Sequence, residues 1–231
     1  MKLGDLSVGY LYSLRAALQA LGHDPAPLLQ RFRISADMLA TPQARISIPR
    51  FMRLGNAAIA LSGRADIGLL MGEHSQPGHL GLAGVTAQCA PDLSRAFETL
   101  VRYERLSSQN YRGHSSFQAT AVRFYSISPY NAFNLFVVDS ALASRARLGR
   151  QLTAGAARLE AVHIEFPPPA YADRYEEVFG CPVLFDQDYN QLIWREDSMP
   201  LPLVQSAPAT FSHLQSLCET HLQELGRHRR L

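Results

Sequence analysis

The sequence predicts an α+β fold: a helical N-terminal half packed on a mostly antiparallel sheet with covering helices, closed by a C-terminal amphipathic helix. Three observations carry it. Apolar residues recur at helical spacing through residues 1–106. From Ser107 onward, short alternating runs rich in aromatic and β-branched residues take over. Phe211, Leu214, Cys218, Leu222 and Leu225 then form a last helical stripe, with Leu217 at its edge.

Taken in order, residues 8–21 place Tyr10, Leu11, Leu14, Leu18 and Leu21 on one face and stop at Gly22. Pro25 opens a short helix through Phe32 and Ile34, and Ser35 starts another turn. Ile46-Ser47-Ile48 is extended because it precedes Pro49, which opens a helix closed by Gly63. Residues 66–72 form a further short helix. Gly78, Gly81 and Gly84, three residues apart, imply a buried helix that another backbone can approach. It meets an amphipathic helix (Leu93, Phe97, Leu100) at Ala90-Pro91-Asp92, with Pro91 in the first helical turn and Asp92 as cap.

Residues 111–118 and 121–128 read as paired strands, 132–152 as a long helix and 158–166 as a strand. Residues 170–179 read as a helix ended by Gly180, and 181–185 with 191–195 as a final hairpin. The division expected is one regulatory body over residues 1–206, helical over 1–106 and α+β over 107–206. A helix and linker over 207–231 follow, with the Phe211, Leu214, Cys218, Leu222, Leu225 stripe free to pack on its own domain or across a homodimer.

Composition narrows function by exclusion. Charged residues make up 18% of the chain, below the ~25% of ordinary soluble domains, which fits extensive buried surface. A net charge of +2 gives no general argument for nucleic acid. Cys89, Cys181 and Cys218 are scattered, and the N-terminus lacks a secretion pattern, so free thiols in the cytoplasm and no membrane span are expected. His74 with His79, and His213, His221 and His228, lack metal-ligand spacing, and neither H-E-x-x-H nor C-x-x-C occurs. No cofactor or metal is expected. A G-x-S-x-G elbow is missing, and Glu176-Glu177 and Glu196-Asp197 sit at exposed-looking positions, so no catalytic residue is named.

Several strings together resemble the N-terminal effector domain of AraC/XylS transcription regulators, in the branch called arabinose-binding-like or ornithine-utilisation-regulator type. They are LGLAG followed by PDLSRAFETLVRY, then Ala44-Arg45-Ile46-Ser47-Ile48-Pro49, Asp66-Ile67-Gly68-Leu69, VFGCPVLFDQDYNQLIW, and Met199-Pro200-Leu201-Pro202-Leu203. The resemblance spans most of residues 8–225. It implies a further segment with two helix-turn-helix motifs, a pattern not found up to Leu231. The Arg227-His228-Arg229-Arg230 end is then expected where a chain is cut at the linker.

The resemblance implies a small-molecule sensor that controls an attached DNA-binding domain, forms a homodimer and touches DNA only through that other domain. A fatty acid, an aromatic or an amino-acid-derived metabolite suits the apolar segments. Phe117, Phe124, Tyr125, Phe133, Phe136, His163 and Trp194 are expected to wall a cavity between sheet and long helix, with Arg123, Asn131, Asn134 and His163 as its polar groups. The competing reading is a ligand-free homodimerisation module.

Overall fold

A computed structural model describes residues 3–227, so His228-Arg229-Arg230 of the basic end lies outside the described residues. β1 (Gly4–Ser7) leads into α1 (Gly9–Ala20), α2 (Ala26–Arg31) and α3 (Ala36–Ala40). After β2 (Arg45–Ser47) come α4 (Ile48–Ser62), α5 (Ile67–Glu73), α6 (Gly81–Gln88), α7 (Leu93–Arg102) and a 3-10 turn (Glu104–Leu106). β3 (Ser108–Asn110), β4 (Ser116–Gln118) and β5 (Ala121–Phe124) precede the long α8 (Leu135–Leu152). β6 (Leu159–His163), α9 (Asp173–Phe179), β7 (Val183–Leu184) and β8 (Asn190–Trp194) lead on to α10 (Pro208–Arg227).

The predicted α+β class is the observed one. Several helix ends follow from their cap chemistry. Asp92 accepts from the Arg95 amide at 2.8 Å and starts α7, with Pro91 one residue outside the cap rather than in the first turn. Gly180, at φ +64°, closes α9 in the left-handed region.

Three local expectations are corrected. The helical half contains a small antiparallel sheet, in the order β2-β1-β3, which tethers residues 4–7 to residues 108–110. Strands this short carry almost no periodic signal. The final hairpin does not form. β7 pairs in parallel with β6, while β8 inserts between β5 and β6, giving the order β4-β5-β8-β6-β7. Asn190, Gln191, Leu192 and Trp194 are all buried, as a central strand requires. Of the three spaced glycines only Gly84 is crowded, against the Pro77 carbonyl; Gly81 takes φ +62° where it opens α6, and Gly78 faces open space.

α8 divides the interior into two cores. On one side Val138, Leu142 and Ala146 pack with the inner sheet face (Val122, Val162, Leu192, Trp194) and with Leu93, Ala96 and Phe97 of α7. On the other, Phe136 joins Leu11, Leu14 and Leu18 of α1 and Phe51 and Leu54 of α4. Close approach comes from glycines elsewhere than predicted. A Cβ on Gly72 of α5 would lie 2.1 Å from the Ala143 Cβ and 2.6 Å from the Ala143 carbonyl carbon of α8. Gly72→Ala is therefore expected to destabilise by about 1–3 kcal/mol, because two helix backbones must separate. Gly78→Ala should be neutral or stabilising by at most about 1 kcal/mol. Urea unfolding of both variants checks this, and a neutral Gly72→Ala would mean that the α5–α8 contact yields easily.

Candidate functional site

The space between sheet and α8, where a cavity was expected, is filled. The Trp194 ring lies on Gly149 of α8, and a Cβ there would stand 2.4 Å from it. Phe97 covers Trp194 with ring centroids 5.6 Å apart, and Phe117 covers Phe97 at 5.9 Å. Phe136 belongs to the other core.

The remaining expected residues separate. Arg123 and His163 stand side by side on the outer sheet face, joined through Gln191. Arg123 Nε donates to Gln191 Oε1 at 2.8 Å, and Gln191 Nε2 lies 3.0 Å from His163 Nδ1. Asn131 and Asn134 knit the turn before α8, where Asn134 Oδ1 accepts from the Asn131 amide and Asn131 Oδ1 from that of Phe133. Phe133 is 61% exposed, because this turn points its ring outward while Phe136, three residues on, points in. Tyr125 alone lines one of the hollows described next.

A polar-lined hollow lies instead at the seam where α7 and its 3-10 turn meet α1, α8 and the loop before β4. A narrow cavity of about 20 Å³ is walled by Leu80, Phe97, Leu100 and Val122, with Tyr10, Glu104, Ser107, Ser115 and Arg145 as its polar lining. Such a volume holds little more than one water, which needs roughly 10–15 Å³. Glu104 also lines an adjoining groove of about 290 Å³, together with Arg105, Asn110, His114 and Tyr125. One carboxylate thus stands between the cavity and the groove.

The electrostatics of this seam are specific. Glu104 and Arg145 have side chains only 10% and 16% exposed and face each other at 3.3 Å. The Ser115 amide donates to Glu104 Oε2 at 2.8 Å, and the Ser115 hydroxyl donates to Oε1. Arg145 Nη2 also reaches Ser115 Oγ at 3.1 Å, while Nη1 donates to the Ala141 carbonyl. Burial pushes the Tyr10 phenol up, against the nearby Arg145 charge. Burial, with the Glu104 charge, pushes Tyr125 up to about 12. Both phenols stay protonated at neutral pH.

The same turn grips α10. Tyr103 donates to Glu219 Oε1 at 2.7 Å and Arg102 Nε to the same oxygen at 2.9 Å. Glu219 is held below the usual carboxylate range, chiefly by the Tyr103 bond. Cys218 is fully buried, with Sγ 3.3 Å from the Thr86 hydroxyl, and Phe211 is buried in the main core. Leu222 packs against the small cluster around Cys218, Leu214 and Leu225 are half-buried, and Leu217 is 38% exposed. Much of the stripe proposed for dimerisation thus packs within its own chain.

A wider hollow of about 710 Å³ lies over α1–α3, but none of the polar side chains lining it is buried. Sequence reasoning missed Glu104 and Arg145. Glu104 sits in a run of charges that resembles a solvated helix face. Arg145 carries a usable signal: it falls on the buried Val138, Leu142, Gly149 stripe, where an unpaired charge is disfavoured.

The family described as the arabinose-binding N-terminal domain of AraC transcription regulators matches residues 22–203. The ornithine utilization regulator of Pseudomonas aeruginosa is 25% identical over 220 residues, covering 94% of this chain and 65% of that protein. The HTH-type transcriptional regulator VirS of Mycobacterium tuberculosis is 28% identical over 194 residues, covering 82% of this chain and 57% of that protein. The chain spans less than two thirds of the length of either relative. The crystal structure of the transcriptional regulator CdpR from Pseudomonas aeruginosa shares the fold, with a TM-score of 0.62 at 18% identity over 90% of this chain and 62% of that one.

Proposed function

This chain belongs to the family of arabinose-binding N-terminal domains of AraC transcription regulators, and from that premise we propose that it senses a small molecule at the Glu104–Arg145 seam. The observation that carries the reading is a buried, hydroxyl-lined ion pair at a cavity, whose carboxylate also faces a groove and sits on the turn that grips α10. A ligand there shifts the domain between two arrangements to the extent that it binds one better than the other. The matched relatives are longer than this chain, and VirS is by name an HTH-type regulator. The recipient of the signal is, on this reading, a DNA-binding domain of that kind.

Residues 1–206 act as the regulatory body and residues 207–231 as helix and linker. The protein is non-enzymatic, works in the cytoplasm, and dimerises through the outward flank of α10 around Leu217. Among the described residues no helix is long and apolar enough to cross a membrane.

Native mass spectrometry of the purified chain, followed by denaturing extraction, tests the sensing reading. A non-covalent mass that leaves on denaturation is expected, together with the mass of a dimer. A bare chain that no metabolite in a broad panel stabilises against heat would overturn it.

A further inference from the structure

We propose that the effector is a small organic anion, a carboxylate on an apolar body, whose charged end takes the place of Glu104 on Arg145. This rests on the sensing reading above and specifies its ligand and its switch. The charge around the combined space is one-sided: Arg102, Arg105 and Arg145 line it against the single carboxylate of Glu104, with His114 beside them. Arg102 is already paired with Glu219, which leaves Arg105 and His114 at the groove and Arg145 inside. The Tyr10 and Tyr125 hydroxyls line the same space, and the Ser115 hydroxyl, which now donates to Glu104, is released as a donor to an anion when Glu104 is displaced.

Arg145 is the group such an anion can take over. Its contact with Glu104, at 3.3 Å, is longer than the about 2.7–2.9 Å of a tight charge-assisted bond. The stronger hold on Glu104 comes from Ser115 instead. A guanidinium fork matches a carboxylate in two-bond geometry, so an incoming acid can reproduce the contact and improve on it. The apolar walls, Leu80, Ala83, Phe97, Leu100 and Val122, lie on the cavity side of this pair. That cavity holds little more than one water, so it takes only the charged end, at Arg145, and the body of the ligand lies in the groove of about 290 Å³ beside Val101 and Tyr125. Cavity and groove together reach only the low end of the ~300–1,000 Å³ range of ligand pockets, so the acid is small.

Exchange of carboxylates also supplies an output. Glu104 follows directly on Tyr103 and Arg102, the two residues that bind Glu219 of α10. Displacing Glu104 from Arg145 shifts the 3-10 turn that carries this clamp, so an event in the cavity reaches α10 through one turn of backbone.

The test is a charge series of one shape, phenylacetate, phenylacetamide and phenethylamine, titrated into the whole chain. The chain has a single tryptophan; Trp194 lies behind Phe97, a wall of the cavity, so its emission reports binding. Phenylacetate is expected to give a saturable change, with the amide and amine at least about tenfold weaker. Glu104→Gln removes the competing charge and keeps the shape, and should bind phenylacetate about tenfold more tightly. Arg145→Lys keeps the charge and loses the fork, and should weaken it by about the same factor. Equal or tighter binding of the amine or amide overturns the assignment, as does no saturable response to phenylacetate in either the parent or the Glu104→Gln protein. A neutral or cationic molecule found by native mass spectrometry would overturn the anion alone and leave sensing standing.

Discussion

Arg145→Ala is expected to destabilise the domain by about 3–5 kcal/mol, the loss that follows when one partner of a buried pair is removed. The magnitude does not come from the strength of the Arg145–Glu104 contact, which is long. It comes from the carboxyl group left behind, since Glu104 is buried beside Phe97, Leu100 and Val122 and would retain only the Ser115 amide and hydroxyl as side-chain partners. The double variant Glu104→Ala/Arg145→Ala removes that orphan and should recover much of the loss, so that the two single effects do not add. Urea unfolding of the parent, both singles and the double closes the cycle. An Arg145→Ala cost below about 1 kcal/mol would place the pair with exposed salt bridges and would remove the argument that this seam is built around it.

The seam shows where the sequence was readable and where it was not. The helical stripe of Leu11, Leu14 and Leu18 announced the first N-terminal helix because it buries one face, and burial imposes a period. Asp92 and Gly180 marked ends that the structure keeps. The order of β8 in the sheet was not readable. Its pairing is decided by which strands it must cover on both sides, a long-range property that adjacency to β7 misrepresents. Aromatic residues misled the search for a site because Trp194, Phe97 and Phe136 serve the cores, where large rings are most often placed. Glu104 and Arg145 are 41 residues apart and become a pair only when α8 is laid beside the turn after α7. The more useful sign was a charge on a stripe that ought to be apolar, and α8 carries two such residues, Arg145 and Asp139.

Asp139, the second of these, leads to the other large expected effect. Its side chain is fully buried where α5, α8 and α9 meet, and its two oxygens accept from Tyr175 at 2.6 Å and Tyr171 at 2.7 Å. Burial raises its carboxyl from the ordinary 3.8 to about 7, with the two tyrosine hydroxyls opposing that rise and the Asp66 charge adding to it. Asp66 itself stays ionised: burial works against its charge, but Arg64 and Arg174 hold it below the usual range. Between pH 4 and 7 the folded chain therefore keeps a proton on Asp139 that the unfolded chain releases. The stability this contributes is complete below about pH 4, is lost as pH rises towards 7, and does not change above that. A gap of about three pH units at about 1.4 kcal/mol each sets a ceiling near 4 kcal/mol. Asp139→Asn holds the neutral form at every pH and cancels the background titration when subtracted. The unfolding free energy of the parent minus that of Asp139→Asn should thus fall by several kcal/mol, within that ceiling, between pH 4 and pH 8. A difference that stays level over this range would show that two tyrosine hydroxyls suffice to keep a carboxylate charged at the junction where α5 closes on α8.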